Sequence, residues 1–219
     1  MCLVLHGGQE QSRQPAHRLR GPYLRMLQFS LDLRRHGRRG GLAVWQLCYR
    51  YRGWNRPDLD PVTDTRWALE RIRDRHPGVP VVLLGHSMGG RTAFRVADDP
   101  AVTAVAALAP WTTGRDRVAH LAGREVLIAH GELDTVTTPA DSLAYARRVA
   151  EVTDGICRFE VADENHSLLR RPADWSSLVR RFVLGTTGIT EPDPVISEAM
   201  ASPLPDRLAV PLRRGVLTG

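Results

Sequence analysis

Three side chains that together could perform nucleophilic catalysis, Ser87, Asp134 and His166, occur in this order along the 219-residue chain. A serine hydroxyl becomes a nucleophile at neutral pH when a neighbouring base takes its proton. An imidazole base in turn needs a carboxylate that fixes its tautomer and stabilises the imidazolium. Each of the three candidates follows an apolar segment. These residue types and their order therefore indicate catalysis by a serine nucleophile.

Ser87 lies between two glycines, in the Gly-His-Ser-Met-Gly segment at residues 85–89. Residues 79–84 before it are apolar and rich in branched side chains, as in a strand buried on both faces, and residues 93–97 after it have helix-compatible spacing. A serine between strand and helix must occupy a tight, strained turn, and the glycines let the two elements approach. This is the G-x-S-x-G pattern of a nucleophile elbow, with a plain glycine-rich loop as the alternative.

The acid and the base are expected at the ends of later strands. Asp134 follows one apolar segment, and His166 follows the last one. The order serine, acid, histidine is the order expected for an elbow serine. Two other carboxylates remain alternatives for the acid: Glu132 is the nearest competitor, and Asp163 is close to His166 in sequence.

Strand patterns alternate with helical patterns along the chain, which predicts right-handed crossovers and a parallel sheet covered by helices on both faces. In such a sheet ligands bind beyond the carboxyl ends of the strands. The predicted strands are residues 1–5, 42–47, 79–84, 102–108, 126–129 and 157–161.

Helical patterns fill the intervals between several of these strands. Leu24, Leu27 and Leu31 fall at i, i+3 and i+7, which predicts a helix that covers the sheet. Further helices are predicted to begin at Asp60-Pro61, at Thr138-Pro139 and at Pro172.

Composition excludes several classes of enzyme. All 30 basic residues are arginine, so a Schiff-base lysine, a pyridoxal-phosphate lysine and a phosphate-loop lysine are absent. The net charge of +6 comes from scattered arginines, often beside carboxylates, which favours a solvated surface over a nucleic-acid footprint. We therefore expect no nucleic-acid partner.

Cys2, Cys48 and Cys157 are far apart and show no C-x-x-C spacing, so neither a disulfide framework nor a zinc site is expected. We also expect neither a metal nor an organic cofactor. The sequence shows no signal-peptide pattern and no apolar run of membrane-spanning length, which predicts a cytoplasmic protein without a membrane partner.

The periodic pattern stops near Thr186. Residues 186–219 are punctuated by prolines and contain no aromatic side chain, which indicates a mobile C-terminal tail after a single domain at 1–185.

Taken together, these features resemble the α/β-hydrolase family, particularly its compact, lidless bacterial members of the esterase and dienelactone-hydrolase type. The resemblance covers residues 1–185 and implies Ser87 as nucleophile, Asp134 as acid and His166 as general base. The segments that carry it are His6-Gly7-Gly8, Gly85 to Gly90, His130-Gly131 to Asp134, and His166.

The resemblance further implies an oxyanion hole, formed by the backbone N–H of Met88 and that of Gly8, with Gln9 as the alternative second donor. Trp111 and Trp54 stand at predicted strand ends. They either line the substrate pocket or pack in the core.

The chain departs from the family pattern in two ways. It starts at what resembles the family's third strand, so we expect a three-layer fold with about six mostly parallel strands and no leading hairpin. Too few residues separate Pro110 from Glu125 for a cap domain. His6 and His86 flank the site and are expected to support its loops.

The resulting hypothesis is a serine hydrolase that cleaves an ester or related acyl bond of a small substrate through an acyl-enzyme. An acyltransferase or a peptidase would use the same residues, and a binding protein with lapsed catalysis would keep the same scaffold.

Overall fold

The computed structural model describes residues 1–215 and shows one parallel sheet of seven strands in the order β2-β1-β3-β4-β5-β6-β7. The predicted fold class is therefore confirmed, and every predicted strand is present. The strands are β1 (Cys2–Leu5), β2 (Val44–Leu47), β3 (Val81–His86), β4 (Val102–Leu108), β5 (Glu125–Gly131), β6 (Ile156–Val161) and β7 (Val210–Pro211).

Six α-helices are found in the described part of the chain, and helices that begin with the predicted prolines form as expected. The connection between β4 and β5 contains only a short 3₁₀ turn, Ala119–Leu121, and no cap domain. The helices are α1 (Gly21–Gly37), α2 (Asp60–Arg75), α3 (Met88–Val96), α4 (Pro139–Val149), α5 (Pro172–Thr186) and α6 (Pro194–Ala201).

The central strands are buried on both faces, and alternate residues feed two separate hydrophobic cores. Val82 and Leu84 of β3 point into one core, together with Phe29 of α1. Leu83 of β3 points into the other, together with Leu69 of α2. Because side chains alternate across a strand, a continuous apolar run is what a sheet covered on both sides requires.

The predicted helix α1 covers the sheet with a face other than its leucine stripe. Leu24 and Leu31 are 45% and 54% exposed, whereas Met26, Phe29 and Leu33 are fully buried. The two leucines and the buried three have the same helical spacing. The sequence pattern contained two apolar stripes on one helix, and packing on the sheet selected the stripe with the aromatic side chain.

The C-terminal segment also differs from the expectation of a tail. Within the described residues it forms α6 and the seventh strand, β7, which pairs with β6 in parallel. Ile196 and Leu212 are buried in the same core as the sheet, and the N–H of Leu212 donates to the carbonyl of Glu160 at 2.8 Å. The sheet therefore has one strand more than the predicted six.

Candidate active site

The turn from β3 to α3 holds Ser87 in a conformation that few residues adopt, with φ 54° and ψ −118°. The glycines two residues before and two residues after it have no room for a side chain. A Cβ on Gly85 would lie 2.3 Å from the carbonyl oxygen of Gly89, and one on Gly89 would lie 2.3 Å from that of Leu5. The glycines are thus required by close backbone approach, and the tight turn predicted from the sequence is present.

Backbone hydrogen bonds hold the strained serine in place. The N–H of Ser87 donates to the carbonyl of Leu108 at 3.0 Å, and its carbonyl accepts from the N–H of Trp111 at 3.1 Å. These bonds connect the turn to the end of β4. Such support is what allows a sparsely populated backbone conformation to persist.

Asp134 and His166 meet at the carboxyl ends of β5 and β6. The Nδ1 of His166 donates to Oδ2 of Asp134 at 2.7 Å. The other carboxylate oxygen accepts the backbone N–H groups of Val136 and Thr137 at 2.8 and 3.0 Å. Because Nδ1 is protonated in this bond, Nε2 of His166 is the ring nitrogen left free to accept a proton.

The alternative acids do not reach the histidine. Glu132 is exposed, and the carboxylate of Asp163 pairs with Arg214 at 2.9 Å on the surface. Within residues 1–215, Asp134 is the carboxylate that contacts His166.

Two partners of Asp134 were not predicted as site residues. The Nε2 of His130 lies 3.2 Å from Oδ2 of Asp134 and 3.0 Å from the carbonyl oxygen of Thr137, so this nitrogen is a donor. The hydroxyl of Thr137 lies 3.0 Å from the same carboxylate oxygen. His130 lies at the end of β5 and Thr137 in the loop after it, which is a sequence signal, since the segment that presents the acid must also satisfy it.

These contacts determine the charge of the acid. Burial, the strongest influence on the carboxyl of Asp134, would raise its pKa, but hydrogen bonds from His130, His166 and Thr137 together outweigh burial and hold the pKa well below its ordinary range. Asp134 is therefore ionised at neutral pH and can orient the imidazole and stabilise its protonated form.

His86 links the serine turn to the histidine loop. Its Nε2 donates to the backbone carbonyl of His166 at 3.0 Å, and the two rings lie 4.7 Å apart. Burial, followed by the charge of His166, lowers the pKa of His86 well below its ordinary value. The ring is consequently neutral, and its hydrogen bond connects the two loops.

His6 has a similar supporting position on the glycine loop after β1. The N–H of Tyr49 donates to Nε2 of His6 at 3.3 Å, so Nδ1 carries the hydrogen and donates to the carbonyl of Gly7 at 2.7 Å. Burial lowers the pKa of His6.

The two alternative oxyanion donors are in different environments. The N–H of Gln9 donates to the carbonyl of Arg52 at 2.8 Å, so it is already engaged. Gly8 lies close to the side chain of Met88: a Cβ on Gly8 would be 2.4 Å from Cε of Met88. Met88 is the first residue of α3, so its own N–H has no partner within the helix.

Within residues 1–215, no hydrogen bond joins the Ser87 hydroxyl to His166; the serine turn and the histidine loop meet through His86. Hydrogen bonds of this kind are often long in proteins without substrate and shorten in the complex. The structure thus brings Asp134 and His166 into contact and connects their loop, through His86, to the turn that holds Ser87.

The two tryptophans form one cluster with an arginine of α3. Their rings are 6.0 Å apart and nearly perpendicular, and the guanidinium of Arg91 lies 4.7 Å from the Trp54 ring and 4.4 Å from the Trp111 ring. Trp54 is buried and Trp111 is half-buried. Trp54 therefore packs in the core, while Trp111 is tied to the site through its backbone bond to Ser87.

A small pocket of about 120 Å³ opens beside the glycine loop. Within the described residues, its lining includes no carboxylate. The lining consists of His6, Gly7, Gly8, Gln9, Ala16, His17, Arg20, Pro22, Tyr23 and Arg52.

Residues 1–215 contain no group of three or more histidine, cysteine, aspartate or glutamate side chains placed to hold a metal ion. None of the helices described is long and apolar enough to cross a membrane.

The fold and the elbow agree with comparisons to known proteins. The sequence profile of the family described as serine aminopeptidase, S33 matches residues 1–124, which is more than half of the 219-residue chain and includes the elbow. The chain belongs to this family of α/β serine hydrolases. No curated protein matches the chain in sequence.

Solved structures with the same fold have low sequence identity to this chain. An α/β serine hydrolase homologue from Coxiella burnetii has a TM-score of 0.62 at 18% identity, covering 83% of this chain and 84% of its own. A Pyrococcus furiosus esterase has a TM-score of 0.65 at 15% identity, with 83% and 80% covered.

A serine hydrolase without a lid from Xanthomonas campestris has a TM-score of 0.64 at 18% identity, with coverages of 83% and 79%. At these identities the likeness concerns the fold. It agrees with the absence of a cap domain between β4 and β5.

Proposed function

We propose that this protein hydrolyses an ester or related acyl bond of a small substrate through an acyl-enzyme on Ser87. The observation that carries the proposal is the 2.7 Å bond between His166 and the ionised, buried Asp134 at the loop that His86 ties to the strained serine turn. A histidine oriented in this way has its Nε2 free for general-base catalysis.

The proposed reaction has two halves. Ser87 Oγ attacks the substrate carbonyl while Nε2 of His166 takes the hydroxyl proton and then delivers it to the leaving alcohol as the bond to carbon breaks. Water then attacks the acyl-enzyme, gives its proton to His166, and the acid leaves as the serine is re-protonated. The N–H groups of Met88 and Gly8 stabilise the oxyanion in both halves.

The family description also suggests cleavage of a peptide bond next to a free amino terminus. The pocket beside the glycine loop is lined by Gly8, the proposed oxyanion donor, and not by Ser87 or His166; we propose it as a neighbouring subsite, and its charge disfavours this alternative. Its described lining has no carboxylate to hold an ammonium group and contains two arginines, Arg20 and Arg52, which repel one. We therefore favour a neutral or anionic acyl substrate, and we infer a small one from the missing cap between β4 and β5.

The test is labelling with a fluorophosphonate probe combined with hydrolysis of p-nitrophenyl acetate and butyrate. Ser87→Ala should abolish labelling and reduce kcat by roughly four orders of magnitude or more, because the acyl-enzyme cannot form. Ser197→Ala, on the exposed face of α6, is the matched control and should retain both within about twofold. Labelling of folded Ser87→Ala, or activity within about tenfold of the parent, would contradict the proposal, and an unlabelled parent would indicate a binding protein instead.

A further inference from the structure

A second pocket, of about 380 Å³, is lined by residues of α3 and by Trp54 of the tryptophan cluster. Its lining is dominated by arginines, with a single carboxylate among the described residues. Its size is in the range of pockets that hold small organic ligands. The lining consists of Trp54, Arg56, Pro57, Leu59, Arg91, Arg95, Arg115 and Asp116.

The single carboxylate is already neutralised by the buried arginine. Nη2 of Arg91 donates to Oδ1 of Asp116 at 2.9 Å, and the backbone N–H of Thr113 donates to Oδ2 at 2.7 Å. The guanidinium of Arg91 is also enclosed between the two tryptophan rings. Arg91 and Asp116 thus neutralise each other. No other carboxylate in the described lining is left to pair with the remaining arginines.

The guanidinium groups of Arg56, Arg95 and Arg115 make no hydrogen bond and no ion pair within residues 1–215. Some surface arginines of this protein have carboxylate partners, such as Arg66 with Asp98 at 2.9 Å. Three uncompensated positive charges therefore converge on one concave surface. Low-dielectric walls weaken solvent screening there, so an anion would be attracted more strongly than on a flat surface.

The wall of this pocket also has an unsatisfied donor. The indole Nε1–H of Trp54 is buried and has no hydrogen-bond partner. Buried polar groups are almost always hydrogen-bonded, so this unpaired donor beside the arginines is an exception. Pro57 and Leu59 give the same pocket an apolar side.

We propose that this pocket binds an organic phosphate, with Arg56, Arg95 and Arg115 holding the phosphate oxygens and the apolar side contacting the organic part. Arginine matches phosphate oxygens with paired hydrogen bonds. Three free positive charges suit a multiply charged group better than a single carboxylate. The site is separate from the serine, the histidine and the acid, so its occupancy does not depend on the proposed hydrolysis.

Isothermal titration calorimetry tests the proposal, with pyrophosphate as the probe and acetate as the singly charged control. Ionic strength is held constant, because the net charge of +6 attracts anions in general and salt screens that attraction. We expect saturable binding of one pyrophosphate per chain with a Kd below ~1 mM, and no saturation with acetate. Ser87→Ala should bind pyrophosphate as the parent does.

The matched variants are Arg95→Gln/Arg115→Gln and Arg38→Gln/Arg39→Gln, which remove the same charge. Arg38 and Arg39 are exposed and lie outside the pocket. The first pair should weaken pyrophosphate binding at least about tenfold, since hydrogen bonds to charged groups are lost, and the second should change it less than about twofold. Melting curves without ligand verify that both variants fold, with single Arg115→Gln as a milder replacement.

Absence of saturable pyrophosphate binding would overturn the proposal. Equal weakening by both double variants would also overturn it, because the binding would then follow net charge rather than this pocket.

Discussion

At the scale of single residues, the candidate acid Asp134 is distinguished by the groups that contact it. Asp134 accepts hydrogen bonds from His166, from two backbone N–H groups and from the Thr137 hydroxyl. An amide in the same place could not satisfy all these donors, since its NH₂ group would face donors rather than acceptors. A carboxylate is therefore required at this position, and an amide of the same shape cannot replace it.

We expect Asp134→Asn to lower kcat for p-nitrophenyl butyrate by roughly 10³- to 10⁴-fold, because the amide favours the wrong tautomer of His166. Glu132→Gln is the matched control. Its side chain is exposed, so it should stay within about twofold of the parent. Steady-state kinetics on both folded variants checks this. If Glu132→Gln lost activity and Asp134→Asn kept it, the catalytic acid would be Glu132.

At the scale of elements, the C-terminal segment completes the sheet and satisfies buried charges. The guanidinium of Arg158 donates to the carbonyl of Leu208 at 3.0 Å, and that of Arg171 donates to the carbonyl of Leu212 at 2.8 Å. Both arginines are buried. Buried donors without partners are costly, so the residues on either side of β7 contribute to stability beyond their apolar contacts.

Leu212→Ala should lower the free energy of unfolding by about 2–4 kcal/mol, since it removes a side chain that is 4% exposed and belongs to the core. Leu204→Ala, in the same segment but 52% exposed, should change it by less than about 0.5 kcal/mol. Urea denaturation of the parent and both variants measures the difference. Equal stabilities for the two variants would mean that β7 does not hold the segment on the body.

At the scale of the whole molecule, the two supporting histidines couple folding to pH. Burial lowers the pKa of His6 and of His86 from an ordinary value of 6.5. Below that pH the unfolded chain takes up protons at these rings while the folded protein keeps them neutral. The unfolded state then binds more protons, so stability falls as the pH falls.

We expect the free energy of unfolding to decrease between pH 7 and pH 5, by roughly 1–2 kcal/mol for each buried imidazole. In His86→Gln this decrease in the free energy of unfolding should be smaller by the contribution of one imidazole. His76 is exposed, so His76→Gln should show the same decrease as the parent. Urea denaturation across this range checks the slopes. Parallel curves for the parent and His86→Gln would show that His86 protonates equally in both states.

The range stops at pH 5 for a reason that concerns Asp134. Its depressed pKa contributes stability that is fully present above the ordinary value of 3.8 and is lost as the pH falls further. Measurements below pH 5 would mix this loss with that of the histidines.

The amino-acid sequence by itself determined the parallel α/β fold and the elbow. Both depend on local patterns, namely apolar runs of strand length, helix starts at proline, and glycines on either side of Ser87. It also indicated that Asp134 and His166 follow successive strands. Because parallel strands bring their carboxyl ends to one edge of the sheet, the two side chains meet there.

Only the tertiary structure decided among features with equal local patterns. It buried Phe29 rather than Leu31 on α1, engaged the N–H of Gln9 but left Gly8 beside Met88, and added β7 to the sheet. Each outcome depends on contacts between residues far apart in sequence, through packing against the sheet or hydrogen bonding to a distant carbonyl. Periodicity and spacing within one segment carry no information about such contacts.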